Sequence, residues 1–285
     1  MKLRDDKLKD IVDWSEKNRA IRAVLLTSSL VNPLAPVDEL SDLDIELVFE
    51  NNSDYIADKS WICNFGSPIA IIGEDESSFE NKHAITMVLY EDGIKVDFKL
   101  YSKSNFIAET QLSKLPKDWD IGYEVLIDKD KLTESMHKPS FEASIIKKPS
   151  KQEFEQLIYD FWWDITYVAK SLVRDEIFYA KFTSETIIRT EYLTPLIEWY
   201  IASAHNWSIT TNKQGRLFKK YLDSDIWLKI EQTFSGSNLT DNWNALSAMT
   251  NLVAEIGCEL STRLGYSYPQ KLEENILLYI KKLKP

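Results

Sequence analysis

The segment TSSLVNP (residues 27–33), followed by SDLDI (residues 41–45), decides the fold of the first half of the chain. The apolar run at residues 20–26 before it has the length of a buried strand. Residues 44–49 after it alternate polar and apolar side chains, as a strand with one exposed face does. The pattern therefore predicts a strand, a serine-containing turn and a second strand that begins at a pair of acids.

Acidic side chains at this second strand predict a metal-dependent site. Asp42 and Asp44 are two residues apart, so both carboxylates lie on one face of the strand. A third acid, Asp97, lies in the alternating segment 94–100, which predicts a neighbouring strand. Carboxylates held together repel one another unless a cation or proton lies between them, and Mg²⁺ prefers oxygen ligands. We predict that these three acids are catalytic and bind metal, with two Mg²⁺ ions across a phosphate, and that Asp97 serves either as the third ligand or as the base.

The rest of the chain predicts an α+β first domain and an all-helical second domain. Further strands are predicted at 67–72, 84–90, 94–101 and 123–127. Pro139 and Pro149 bracket a polar stretch, so we predict a first domain at 1–135, a linker at 136–150 and a second domain at 151–285. A 3.6-residue apolar rhythm then predicts helices. They lie around 154–172 and at 176–204, 213–222, 238–264 and 270–284. The fold class is thus a mixed β-sheet with flanking helices, followed by a helical domain.

Composition narrows the functions that the chain can have. The formal net charge is −11, and residues 1–100 hold 20 acidic but only 11 basic side chains. This excess argues against a nucleic-acid binder, which needs surplus Lys and Arg, and suits a cationic partner. The two cysteines predict neither a disulfide framework nor a zinc site. With no signal-like or membrane-spanning segment in the sequence, we expect a cytoplasmic monomer without membrane or nucleic-acid partners.

The turn and the acid pair resemble the signature of the nucleotidyltransferase superfamily that includes DNA polymerase beta. More closely, nearly the whole chain resembles the aminoglycoside 6-adenylyltransferases, the streptomycin adenylyltransferase family. The second half carries this likeness in FWW (161–163), YVAK (167–170), RDEI (174–177), YAK (179–181), WYI (199–201) and KQGRLFKKY (213–221). The resemblance implies transfer of AMP from ATP to the 6-hydroxyl of streptomycin, a cationic aminoglycoside. Pyrophosphate is released, Mg²⁺ is required and the product confers antibiotic resistance.

The resemblance also implies roles for individual residues. Nucleotide-binding candidates are Ser28, Ser29, Asn32, Lys170 and Lys181. Substrate-binding candidates are Asp175, Glu176, Trp162 and Tyr200. Several alternatives stay open: the lysines as surface charges, the two acids as the catalytic base, and both tryptophans at 162 and 163 as core residues.

Two departures from the family pattern motivate alternative functions. The family usually has Gly where this chain has Ser28, and Arg where it has Leu30. Glycine permits positive φ and close approach of phosphate, and arginine offers a bidentate phosphate contact. One alternative is therefore a degenerate nucleotide-binding protein with little or no turnover. The other is the same transfer to a different acceptor, such as a lincosamide or a protein side chain.

Overall fold

The computed structural model describes residues 2–284 of the 285-residue chain. The chain divides between Ser144 and Ile145 into two compact units. This division falls inside the segment predicted as the linker. Within residues 2–284, no helix is both long and apolar enough to cross a bilayer.

The first unit is built on a six-stranded mixed sheet, as predicted. The strands are β1 (Ile21–Thr27), β2 (Leu43–Phe49), β3 (Pro68–Glu74), β4 (Ala84–Tyr90), β5 (Lys95–Ser102) and β6 (Tyr123–Asp128). Their order across the sheet is β3-β4-β5-β2-β1-β6. Only the β2–β5 pair is parallel, and the other four pairs are antiparallel. This pairing makes β2 and β5 the centre of the sheet, where both acid-bearing segments lie.

Helices flank the sheet. They are α1 (Lys2–Lys17), α2 (Ser53–Ala57), α3 (Lys103–Thr110) and α4 (Lys117–Asp120), and 3₁₀ turns lie at Ser28–Val31, Ser60–Phe65, Glu76–Phe79 and Glu142–Ser144. The helix-like spacing of apolar residues over 5–18 predicts α1, but the sequence pattern misses α2, α3 and α4. These three helices have eight residues or fewer, too short for a helical period to emerge from the sequence.

Side-chain alternation gives the two faces of the sheet different cores. Alternate residues of β2, from Leu43 to Phe49, join the larger core together with Phe98 of β5. The intervening residues face the other way, where Val48 packs in a smaller core with Tyr101 and Trp119. Asp44 belongs to this second set. The acids therefore lie on the side of the sheet with the smaller core.

The second unit is helical throughout, as predicted. Its helices are α5 (Lys151–Val173), α6 (Ile177–Lys181), a π-helix (Phe182–Leu193), α7 (Thr194–Ala204), α8 (Phe218–Tyr221), α9 (Ser224–Glu231), α10 (Leu239–Leu264) and α11 (Gln270–Leu283). Ser150 begins α5 with a capping box: its hydroxyl accepts the Glu153 N–H, and the Glu153 carboxylate accepts the Ser150 N–H. A single apolar core joins α5, α7 and α10.

Two predicted helices differ from the structure. The prediction of a helix over 213–222 is wrong, because Gln214 (φ 52°) and Gly215 (φ 71°) are left-handed and separate a 3₁₀ turn at Lys213–Gly215 from α8. The basic residues of this segment therefore do not share one helix face. The helix predicted at 176–204 is three successive segments, with the π-helix between α6 and α7.

Candidate active site

Strand pairing brings two of the three predicted acids together. β2 and β5 run parallel in a register that places Asp44 beside Asp97. Neighbouring residues of paired strands point to the same face, about 5 Å apart. Asp42 precedes β2 and lies two residues from Asp44 along that face.

A lysine that was not among the predicted site residues lies among these acids. Lys95, the first residue of β5, places its Nζ 3.1 Å from Asp42 Oδ2 and 2.8 Å from Asp97 Oδ2. The other oxygen of Asp97, Oδ1, is buried and has no hydrogen-bond partner. The signal was present in the alternation of Lys95 and Asp97, but which carboxylates the lysine reaches depends on the strand register.

The electrostatics of the site are those of crowded carboxylates. Burial, and next the negative charge of Asp97, raise the pKa of Asp44 to about 6, against the lowering effects of a Ser28 hydrogen bond and of Lys95. Because ionisation of such a carboxylate costs free energy, a nearby cation would stabilise its charged form.

The turn after β1 reaches the acids through Ser28. Its side chain lowers the pKa of Asp44, and its backbone is left-handed with φ 65°. The turn is packed tightly from behind, since a Cβ built on Gly122 would lie 2.7 Å from the Val31 carbonyl oxygen. Asn32 uses its side-chain oxygen locally to accept the Leu34 N–H at 2.8 Å. The serine turn and the acid pair are therefore adjacent, as the sequence pattern predicts.

The three acids do not form a ready-made chelate. Within residues 2–284, no three His, Cys, Asp or Glu side chains are placed to hold a metal ion together. Lys95 contacts Asp42 and Asp97 on their Oδ2 oxygens. The adjacent Asp44 and Asp97, with the unpartnered Asp97 Oδ1, remain a donor set that fits one hard divalent cation.

A second charged pair, which no sequence pattern predicted, lies at the next same-face position along β2 and β5. Glu46 is buried, and its Oε2 accepts the Trp119 indole N–H at 2.7 Å. Lys99 places its Nζ 3.2 Å from Glu46 Oε1 and 2.9 Å from Asp118 Oδ2. Burial raises the pKa of Glu46, and Lys99 and Trp119 oppose that rise. The charged row Asp44–Glu46 on β2 is therefore matched by Asp97–Lys99 on β5.

The basic candidates of the second unit have partners of their own. The Lys170 Nζ lies 5.0 Å from the ring centroid of Tyr167. The Lys181 Nζ donates to the Ser235 carbonyl oxygen at 2.8 Å and lies 3.3 Å from Glu185 Oε1. The phosphate-binding role of Lys181 would require it to exchange these contacts, whereas the Lys170 ammonium group lies over the rings of Tyr167 and Tyr279.

The acidic candidates of the second unit lie in an exposed turn. Asp175 and Glu176 connect α5 to α6, and Asp175 is left-handed with φ 58°. They line an open depression together with Ile177, Phe178 and Tyr179. Acids beside exposed aromatic rings suit a polycationic, ring-containing ligand.

Comparison with known proteins shows the family to which this chain belongs. The family model described as streptomycin adenylyltransferase matches residues 1–283. The chain belongs to the streptomycin adenylyltransferase family. It is therefore a nucleotidyltransferase, a class that uses a nucleoside triphosphate as co-substrate.

Similar proteins match over almost their full length. An aminoglycoside 6-adenylyltransferase from Bacillus subtilis (strain 168) is 28% identical over 94% of this chain and 93% of its own length. One from Campylobacter jejuni is 26% identical over 96% of this chain and 93% of its own length. The crystal structure of an aminoglycoside 6-adenyltransferase from B. subtilis covers 97% of both chains at 24% identity, with a TM-score of 0.47.

Two substrate candidates of this adenylyltransferase are placed differently by the structure. Trp162 has an exposed fraction of 0%, and its Nε1 donates to the Tyr268 hydroxyl at 3.1 Å. A fully enclosed indole cannot contact a substrate, so this prediction is wrong and Trp162 is a core residue. Its neighbour Trp163 is 64% exposed. The Tyr200 hydroxyl donates to Glu259 Oε2 at 3.1 Å and remains partly exposed.

Proposed function

We propose that this adenylyltransferase transfers AMP from ATP to a hydroxyl of an aminoglycoside, with the 6-hydroxyl of streptomycin as the acceptor. Pyrophosphate is released, and modification of the drug gives resistance. The observation that carries the proposal is the register of β2 against β5, which sets Asp44 beside Asp97 next to the serine turn. The names of the similar proteins support the choice of acceptor class.

Asp44 and Asp97, with Asp42 beside them, are the residues that would hold Mg²⁺ in this proposal. When bound, the ion supplies positive charge that neutralises the phosphates of ATP. The backbone N–H groups and hydroxyls of Ser28 and Ser29 bind phosphate oxygens, as such turns do elsewhere. The buried, unpartnered Asp97 Oδ1 suits either metal ligation or acceptance of the proton of the attacking hydroxyl.

The second unit contributes the remaining candidates. Lys170 and Lys181 are proposed to bind phosphate, and Asp175, Glu176 and Tyr200 to bind the cationic drug. Charge-assisted hydrogen bonds from the guanidinium or ammonium groups of the drug to carboxylates give such binding both strength and orientation.

Incubation of the purified protein with ATP, Mg²⁺ and a panel of aminoglycosides tests this function. We expect pyrophosphate release and a drug adduct heavier by one AMP, and NMR of the adduct locates the modified hydroxyl. Asp44→Asn, which keeps the shape of the side chain and removes its charge, serves as the inactive control. Binding of ATP without an adduct on any aminoglycoside would contradict the proposal.

A second candidate function is nucleotide binding without turnover. The left-handed Ser28 favours it, because a side chain stands where the family pattern has glycine, at the turn that faces the acids. Substitution of this residue by glycine separates the two functions. Transfer to another acceptor is tested by adding lincosamides and a protein extract to the panel, with mass detection of AMP adducts.

A further inference from the structure

Lys95 is a cation built into the acid site. Its ammonium nitrogen bridges Asp42 Oδ2 and Asp97 Oδ2, at 3.1 Å and 2.8 Å. Lys95 and Asp97 are alternate residues of β5 and share a face, whereas Asp42 comes from the segment before β2. The ammonium group thus joins carboxylates of two separate chain segments.

These contacts are made to the Oδ2 oxygens of Asp42 and Asp97. Asp97 Oδ1 is buried and unpartnered, although Oδ2 of the same carboxylate contacts Lys95. Asp44 is adjacent to Asp97 in the strand register, and the Lys95 hydrogen bonds go to Asp42 and Asp97. Capacity for a further cation is therefore concentrated between Asp44 and Asp97.

The charges of the four side chains also indicate a site for one divalent ion. Three carboxylates and one ammonium group sum to −2, which a single divalent ion neutralises. We propose that Lys95 takes the place of a second cation, so that the nucleotide-free protein binds one divalent ion, held by Asp44 and Asp97. This inference deepens the proposed function and rests on its requirement for a divalent ion.

A purely structural role for Lys95 predicts a different outcome. The Lys95 side chain is 38% exposed, and ion pairs at such positions contribute little to stability. If its contacts were only a surface ion pair, removal of its charge would leave ion uptake unchanged. If it is a resident cation, removal of its charge makes the site more negative and tightens ion binding.

Titration of the nucleotide-free protein with Mn²⁺, followed by electron paramagnetic resonance and calorimetry, distinguishes these roles. We expect wild type to bind one ion per chain, and Lys95→Met to bind its first ion about tenfold more tightly, as expected for loss of one positive charge a few ångströms away. Two ions per chain in wild type, or an unchanged Kd in Lys95→Met, would overturn the inference.

Matched variants separate charge from fold. Lys95→Arg retains the charge and should keep the wild-type Kd. Lys82→Met removes another paired lysine of the same unit, whose Nζ lies 2.8 Å from Glu80 Oε2, and should leave the Kd unchanged. A tightening in Lys82→Met equal to that in Lys95→Met would overturn the inference.

Aspartate variants keep the inference testable if Lys95→Met fails to fold. Because Asp42 contacts Lys95 and is not a ligand in this inference, Asp42→Asn should weaken Mn²⁺ binding by about tenfold, the effect of one lost charge, and Asp44→Asn, which also loses a ligand, by more than about a hundredfold. Equal losses in the two variants would overturn the inference. The titration needs neither ATP nor drug. A protein that binds Mn²⁺ as described but adenylylates no aminoglycoside would refute the proposed function alone.

Discussion

Ser28 adopts a backbone conformation that residues other than glycine rarely adopt. Its φ of 65° costs on the order of 1 kcal/mol relative to glycine, while its side chain lowers the pKa of Asp44 and so favours the ionised form. Backbone strain and a useful contact therefore meet in one residue that contacts the acid pair. Whether the serine impairs or merely replaces the usual glycine depends on which of the two effects is larger.

Ser28→Gly should raise kcat/KM severalfold and the free energy of unfolding by up to about 1 kcal/mol, because strain is relieved and phosphate can approach the turn. Steady-state kinetics and thermal unfolding measure both quantities. Ser29→Gly, at a neighbouring position with ordinary φ, should improve neither. Activity that falls in Ser28→Gly as far as in Ser28→Ala would show that the hydroxyl outweighs the strain.

Ionisation of Asp44 lowers the stability of the metal-free protein, and this effect depends on pH. Its folded-state pKa of about 6 lies above the value of 3.8 expected in the unfolded chain. Protonation therefore favours the folded state, and this contribution is complete below pH 4 and is lost as the pH rises through 6.

At pH 7.5 in the presence of a chelator, Asp44→Asn should consequently have a free energy of unfolding about 1–2 kcal/mol higher than wild type. It should also lose adenylylation activity. Calorimetry from pH 4 to 8 measures the difference, which should vanish near pH 4. A variant that is less stable than wild type at pH 7.5 would contradict this account of the site.

At the scale of elements, the serine turn depends on its contact with the segment that leads into β6. Gly122 has φ 130°, and a Cβ there would lie 2.7 Å from Val31 O and 3.0 Å from Val31 C. These are backbone atoms of the 3₁₀ turn Ser28–Val31 and cannot yield as the end of a flexible side chain does. The conformation of the turn is thus determined partly by a residue more than ninety positions later in the chain.

Gly122→Ala should displace this turn, lowering kcat/KM at least tenfold and stability by about 2 kcal/mol. Gly93→Ala is the matched control, since Gly93 also has positive φ (82°) but its Cβ would meet nothing within 4 Å. The Gly93→Ala variant should have a free energy of unfolding about 1 kcal/mol lower than wild type and should keep its activity. Equal kcat/KM in the two variants would show that the contact with Val31 does not position the turn.

At the scale of the whole molecule, all of the net charge belongs to the first unit. Residues 1–144 hold 17 basic and 28 acidic side chains, a net charge of −11, whereas residues 145–285 hold 17 of each. A negative field of this size attracts cationic ligands toward the unit that carries the acid pair, and salt screens it.

The KM for a polycationic aminoglycoside should therefore rise about two- to fivefold between 50 mM and 300 mM NaCl, with kcat nearly constant. Initial rates at saturating ATP and fixed Mg²⁺ measure it. The KM for ATP, an anion, should not rise over the same range. A salt-independent KM for the drug would show that the field of the first unit does not assist binding.

Local pattern accounts for most of what could be predicted. The strand predicted at 44–49 follows from alternation, and the long helices α5, α10 and α11 follow from 3.6-residue periodicity, which each segment carries within itself. The predicted helix at 213–222 fails because the left-handed Gln214 is not signalled by its residue type. The 3.6-residue pattern also placed Trp162 and Trp163 on a helix but could not decide which of them is enclosed.

By itself, the sequence determined the two-part α and β organisation, the family and the identity of the acids, because periodicity and motif spacing are local properties. Only the tertiary structure decided that Asp44 lies beside Asp97, that Lys95 bridges Asp42 and Asp97, and that Glu46 pairs with Lys99 behind them. The physical reason is the register of β2 against β5. It joins segments about fifty residues apart and is determined by core packing on both faces of the sheet.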